Sequence, residues 1–328
     1  MNQMPRIVPT GPLAAAKQRA FTLIELMVVI AIITLLISIL LPTLGKARER
    51  AKVVKTKAML KSIGDAAEVY RGENESDQNA RLSNGYPPST MAPDDTLSNS
   101  TEQMAGANWL VRHLMGKDLY GYAPPRNVPS GLSPEQWYDY DAQGKPLVDR
   151  VGPYLDGEAV KVARTSDLPQ GPTNPALNKN QQQHVFIDTN GHPILYYVAN
   201  PVQAAKPRAA IASMNGSTPG IYTMRDNGLF TGQCVGTMCQ LPGWDLGDGD
   251  HHNLGDFGPA NPPDPCTIGS NPRTFPALIM DWNTYKSSMQ NNNCQTATVV
   301  PYRKDSFLLF APGKDGVFGT PDDVTNFR

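Results

Sequence analysis

The sequence predicts an α+β protein: one long N-terminal helix packed on a C-terminal antiparallel sheet with long loops. Three observations carry this. An uncharged run from Leu26 to Gly45 passes without a break into helix-forming residues as far as Tyr70. Two later segments read as strands between turn formers: HPILYYVAN (192–200), β-branched and aromatic, and DSFLLFAPG (305–313), a run of Phe and Leu. The chain also holds 28 glycines and 30 prolines in 328 residues, which favours many turns and a modest core.

The run Leu26–Gly45 has 20 residues. As a helix it spans about 30 Å, the thickness of a hydrocarbon core. The stretch before it, residues 1–20, is polar and carries Arg6, Lys17 and Arg19. A cleaved secretory signal has a shorter apolar region closed by a small-residue cut site. Here the apolar run continues into an amphipathic segment instead. Glu25 stands near the start of the run, where a carboxylate is costly without a partner. No cation shares its face within the run. The partner is then interfacial water, another chain or an N-terminal amine.

In Lys46–Tyr70 the residues Leu60, Ile63, Ala67 and Tyr70 form one apolar stripe, bordered by Met59 and Ala66. The stripe suits a stalk helix whose far half covers a sheet. A helix from Phe21 to Tyr70 would be about 75 Å long. Gly72 and the polar stretch after it should end it. Lys46, Arg48, Arg50, Lys52, Lys55, Lys57 and Lys61 face a lone Glu49 over this stretch. They read as a solvated helix face or as partners of anionic lipid headgroups. The organisation expected is 1–20 leader, 21–45 membrane helix, 46–72 amphipathic stalk and 73–328 globular part.

Within the globular part, GANWLVRHLMGKDLYGY (106–122) reads as a short helix in which Trp109, Leu110, His113 and Leu114 share a face, His113 as a packed helix residue. Residues 123–184 should be loops and short strands. TFPALIMDW (274–282) fits strand or helix and is expected, with 192–200 and 305–313, to supply the sheet.

Cys234, Cys239, Cys266 and Cys294 make an even count that suits two disulfides in an exported domain, with three connectivities open. A zinc site fits less well, because the first pair is wider than CxxC and the others stand far apart. Asp245, Asp248, Asp250 and Asp256 alternate with glycines in 243–265 but lack EF-hand spacing. His251 and His252 are adjacent and point apart on most backbones. GKDGVFGTPDDVTNF (313–327) holds Asp315, Asp322 and Asp323, which converge if the segment between them turns tightly. Carboxylates and loop carbonyls are the hard oxygens Ca²⁺ prefers.

With 29 basic and 30 acidic residues, no global charge points to nucleic acid. A GxSxG elbow, a P-loop and HExxH are absent from the sequence, so nothing in it points to an enzyme.

AFTLIELMVVIAIITLLISILLP resembles the N-terminal cleavage and methylation segment of type IV prepilins and type II secretion pseudopilins. The resemblance implies cutting between Ala20 and Phe21 by a prepilin peptidase, and methylation of Phe21. It implies that Glu25 neutralises the Phe21 amine of a neighbouring subunit during assembly. Pro42 stands where the family often has a helix-distorting proline. Ala20 departs from the usual Gly before the cut. The 313–327 segment is similar to the acidic C-terminal loop that holds Ca²⁺ in major pseudopilins, though its ligand set is not matched residue by residue. The function this implies is a pilin-like structural subunit of a secretion pseudopilus or pilus-like filament. It would sit in the inner membrane as a single-pass precursor, with its C-terminal domain periplasmic and other pilin subunits as partners. The alternative is a membrane-tethered binding or adhesion module using the same export route.

Overall fold

A computed structural model describes residues 22–74, 84–89, 104–168, 183–205, 212–213, 220–227, 230, 275–291, 293 and 298–328. In chain order the elements are helix α1 (Leu23–Asn74), α2 (Gly106–Met115), β1 (Lys161–Arg164), β2 (His184–Ile187), β3 (Leu195–Val198), the single-turn α3 (Pro201–Ala204), β4 (Ala212–Ser213), β5 (Tyr222–Thr223), α4 (Phe275–Ile279), α5 (Trp282–Ser288), β6 (Phe307–Ala311) and β7 (Val324–Thr325). The chain divides into two units, Met1–Glu49 and Arg50–Arg328.

In the first unit the described residues form the apolar half of α1. Large apolar side chains from Leu23 to Leu44 lie exposed along it. The helix holds an 18-residue window of mean hydropathy 3.0, none of it buried, and is long and apolar enough to cross a membrane. Pro42 lies inside the helix, which continues through it.

The second unit is built on an antiparallel sheet of order β3-β6-β7. Leu195 stands opposite Phe310 and Val198 opposite Phe307. Strand side chains alternate between two faces, and here both faces are covered. Tyr196, Val198, Phe307, Leu309 and Ala311 join Met59, Leu60, Ile63, Ala66, Ala67 and Tyr70 of α1, with Leu110 and Leu114 of α2, in one core. Leu195, Tyr197, Leu308 and Phe310 join Phe275, Leu278 and Phe318 in a second. The stripe read from the sequence is therefore the buried face of α1. Burying each of its large side chains contributes about 1.5–3 kcal/mol. Gly64 sits where α1 meets β6: a Cβ there would be 3.7 Å from the Phe307 ring. Two smaller pairs flank the sheet, β1 with β2 antiparallel and β4 with β5 parallel.

Several elements differ from the sequence expectation. The described part of that segment, residues 275–282, supplies no strand to the sheet. Phe275–Ile279 is helical, Asp281 accepts from the amides of Asn283 and Thr284, and α5 begins there. The ambiguous segment is thus helical, and the third strand comes instead from Val324–Thr325. The 106–122 helix stops at Met115. Gly116 takes φ +87°, and a Cβ there would collide with the Gly121 carbonyl. Helix α1 runs through Gly72 to Asn74, where the Asn74 side-chain Nδ2 donates to the Tyr70 carbonyl over 2.9 Å. His113 is buried in α2 as a packing residue, its Nδ1 2.8 Å from the Trp109 carbonyl and its ring against Tyr70 and Tyr122. Burial lowers it to about 4.

Candidate functional site

Two places carry the sequence-derived site residues. The first is the start of α1. Ala20 and Phe21 lie outside the described residues. Thr22 immediately precedes the helix and Glu25 lies in its first turn. The Thr22 amide donates to Glu25 Oε2 over 2.9 Å and Thr22 Oγ1 donates to the same oxygen over 2.7 Å. The Glu25 amide donates back to Thr22 Oγ1 over 3.3 Å. This is a reciprocal capping box, which satisfies amides that a helix N-terminus otherwise leaves without acceptors. Within one chain the carboxylate thus has local partners. Thr22 was missed by the sequence reading, although a Thr followed three residues later by Glu before an apolar run is the signal for it.

The second place is the loop between β6 and β7. Asp322 Oδ2 accepts from the amides of Lys314 at 2.8 Å and Asp315 at 3.3 Å, and Oδ1 accepts from Thr320 Oγ1 at 2.6 Å. Asp315 Oδ1 accepts from the Val317 amide at 2.9 Å. Asp323 Oδ2 accepts from the Gly319 amide at 2.9 Å, while its Oδ1 is buried without a hydrogen bond. Burial pushes the Asp323 carboxyl up to about 7, and the negative charges of Asp322 and Asp315 add to the effect. Hydrogen bonds from Thr320 and the loop amides outweigh burial at Asp322 and hold it below the usual range. The loop closes because Gly313 takes φ +73°, where a Cβ would strike the carbonyl of Asp322. Asp315 and Asp322 meet through the Asp315 amide and Asp322 Oδ2. The loop's carboxylates are engaged by its own amides, and no group of three metal-ligating side chains is assembled among the described residues.

A turn after β2 braces this loop. Asp188 is fully buried, and its Oδ1 accepts from the amides of Asn190 at 2.8 Å and His192 at 2.9 Å. Asn190 Nδ2 donates to the Gly313 carbonyl over 2.9 Å. On the other side Lys52 Nζ donates to Asn190 Oδ1 over 3.0 Å, and the hydroxyls of Thr56 and Thr189 are 3.0 Å apart. The Asp188 carboxylate, 3.7 Å from His192 Nδ1, pushes that histidine up from its ordinary value. The sequence reading passed over this turn, whose Asn190-Gly191 pair is its signal.

Cys234, Cys239, Cys266 and Cys294, and the 243–265 loop with Asp245, Asp248, Asp250, Asp256, His251 and His252, lie outside the described residues.

Comparison with known proteins bears on the first place most directly. The family model for the prokaryotic N-terminal methylation motif matches residues 15–41. The chain is 26% identical over 132 residues to the Type II secretion system core protein G of Pseudomonas aeruginosa, an alignment covering 39% of this chain and 87% of that protein. No solved structure gives a significant match. The resemblance of the N-terminal segment to type IV prepilins and pseudopilins thus stands on a motif match over the start of α1 and on a distant similarity to a type II secretion protein.

Proposed function

We propose that the protein is a pilin-like structural subunit of a type II secretion pseudopilus or a type IV pilus-like filament. The observation that carries the proposal is the match of residues 15–41 to the methylation motif, laid over a helix start whose apolar side chains are all exposed. In this reading a prepilin peptidase cuts between Ala20 and Phe21, and the new Phe21 amine is methylated. The precursor sits in the inner membrane through α1, with the globular unit periplasmic. Subunits then leave the lipid by packing their apolar helices together, which keeps those side chains out of water.

Glu25 has two successive roles in this account. In the single subunit it caps its own helix through Thr22. In the filament its carboxylate faces the Phe21 amine of a neighbour. A buried carboxylate needs such a charge.

The C-terminal loop is proposed as a Ca²⁺ site formed by Asp315, Asp322, Asp323 and loop carbonyls. The donor set fits in kind: all are hard oxygens. Asp323 Oδ1 is buried with no hydrogen bond to satisfy it. Because the carboxylates accept from loop amides, a cation would have to draw them together. Bound there, it would cancel the repulsion among the three aspartates and fasten the turn.

The matched region covers 39% of the chain, and the remainder suits a specialised subunit rather than a minimal one. Peptide mass analysis of the protein from cell membranes tests the proposal. A chain beginning at Phe21 with one added methyl group is expected. A chain retaining residues 1–20 would leave a membrane-tethered binding module as the better reading.

A further inference from the structure

Past the apolar run, α1 carries Lys46, Arg48, Arg50 and Lys52 within two turns, and all four are exposed. Glu49 is the one carboxylate between Gly45 and Asp65. Successive residues of an α-helix are about 100° apart. On that wheel Lys46 and Arg50 lie about 40° apart, and Arg48 and Lys52 form a second pair on the opposite side. A protein partner touches one face of a helix, whereas a ring of headgroups surrounds it. Charge on both sides matches the ring.

The rise of the helix sets the depth. Polar headgroup layers extend about 5–8 Å beyond the hydrocarbon core. Lys46, Arg48 and Arg50 fall within about 8 Å of Gly45 along the axis, and Lys52 within about 11 Å. Lysine and arginine stems also reach back toward a membrane surface while their apolar parts stay in contact with it. Lys55, farther along, is exposed as well, and the cations after it belong to a different setting. Lys57 and Lys61 line a groove of about 240 Å³ with Asp65, Glu68 and Arg303, where both signs of charge meet. Among the membrane-proximal four, Glu49 is the carboxylate alongside, and Lys52 also donates to Asn190 Oδ1 over 3.0 Å.

We propose that Lys46, Arg48, Arg50 and Lys52 form a collar that binds anionic phospholipid headgroups at the end of the membrane span. This inference rests on the reading that α1 crosses a membrane, but not on which side the globular unit lies. The collar selects acidic lipid around each unassembled subunit. It adds an electrostatic hold, weakened by salt, to the hydrophobic anchor.

The test uses the full chain reconstituted in vesicles of phosphatidylcholine mixed with phosphatidylglycerol, then released in mild detergent. Lipids retained on the protein are identified by mass spectrometry. Retained phosphatidylglycerol should exceed its share in the vesicle by about fivefold or more, as expected when even one cation acts at the surface. The enrichment should fall with added salt. It should disappear in the Lys46→Gln, Arg48→Gln, Arg50→Gln, Lys52→Gln variant and persist in the Lys57→Gln, Lys61→Gln variant. These positions are exposed, and circular dichroism checks that both variants keep their fold.

No enrichment in the wild type, or equal enrichment in the fourfold variant, overturns the proposal. So does capture of these lysines by an acidic protein without lipid enrichment. Failure of the anchor itself reads differently: the chain would not stay with vesicles of either composition.

Discussion

Thr22 Oγ1 donates to Glu25 Oε2 over 2.7 Å while the Glu25 amide donates back to Thr22 Oγ1 over 3.3 Å. The pair separates two roles for Glu25 that mutation of the glutamate alone would merge. Thr22→Ala removes the cap and is expected to cost about 1 kcal/mol at the helix start, with faster amide exchange over the first turn in detergent. Filament or pseudopilus assembly should be reduced but present. Glu25→Ala should abolish assembly while leaving the globular unit folded. Equal assembly in the two variants would mean that Glu25 acts as a cap alone.

Asp226 is buried beside Ser89, which donates to its Oδ2, while Oδ1 has no hydrogen bond. Burial pushes its carboxyl from 3.8 up to about 8. The folded state therefore keeps a proton that the unfolded chain has released. Its contribution to stability is complete below the unfolded value and declines as pH rises toward about 8. Each unit of displacement is worth about 1.4 kcal/mol. Asp226→Asn keeps an acceptor for Ser89 and should flatten the pH dependence of the denaturation midpoint across this window. An unchanged pH slope in the variant would exclude Asp226 as its source.

Gly64 faces Phe307 with room for a methyl group at ordinary contact distance. Gly64→Ala should be neutral or stabilise by up to about 1 kcal/mol through helix propensity. Gly64→Leu should destabilise by about 1–3 kcal/mol through overpacking against β6. Thermal unfolding of the two variants reads both signs in one experiment.

Asn190 bridges Lys52 of α1 to the Gly313 carbonyl, so it ties the C-terminal loop to the helix. Asn190→Ala should raise amide exchange at both 52–56 and 313–316, and lower stability by about 1–2 kcal/mol. Faster exchange confined to the turn itself would show that the bridge transmits nothing.

Calcium chloride should raise the melting temperature of the wild-type protein at neutral pH. An Asp322→Ala, Asp323→Ala variant should lose that response. An identical shift in both proteins would remove the C-terminal loop as the site.

Much of this fold was legible because periodicity states it directly. Leu60, Ile63, Ala67 and Tyr70 could share a buried face only on a helix, while Tyr196–Val198 is aromatic and β-branched and Phe307–Ala311 is a short, wholly apolar run between turn formers. What stayed illegible depended on single hydrogen bonds or on distant neighbours. Asp281 caps α5 just past an apolar segment that is helical and outside the sheet. Gly116 cut α2 short because Gly121 comes back against it. Val324–Thr325 is too short for any pattern and exists as a strand because β6 offers it an edge. The start of α1 was the reverse case. Its capping box is written in the sequence as Thr22 and Glu25, three residues apart before the apolar run.

The contact between Gly64 and Phe307 also sets an order of events. Helix α1 is made early, yet the strand it rests on comes near the end of the sequence, and β6 is the middle strand of the sheet. Pairing across so large a separation is slow to form. Until β6 has been synthesised, the seat of Leu60, Ile63 and Tyr70 on α2 and β3 lacks Phe307 and Leu309. A chain stopped short of Phe307 would display a greasy helix face beneath a sheet lacking its centre. Completion of translation is thus written into the packing as a condition for closure, and a truncated product identifies itself by the surface it cannot hide.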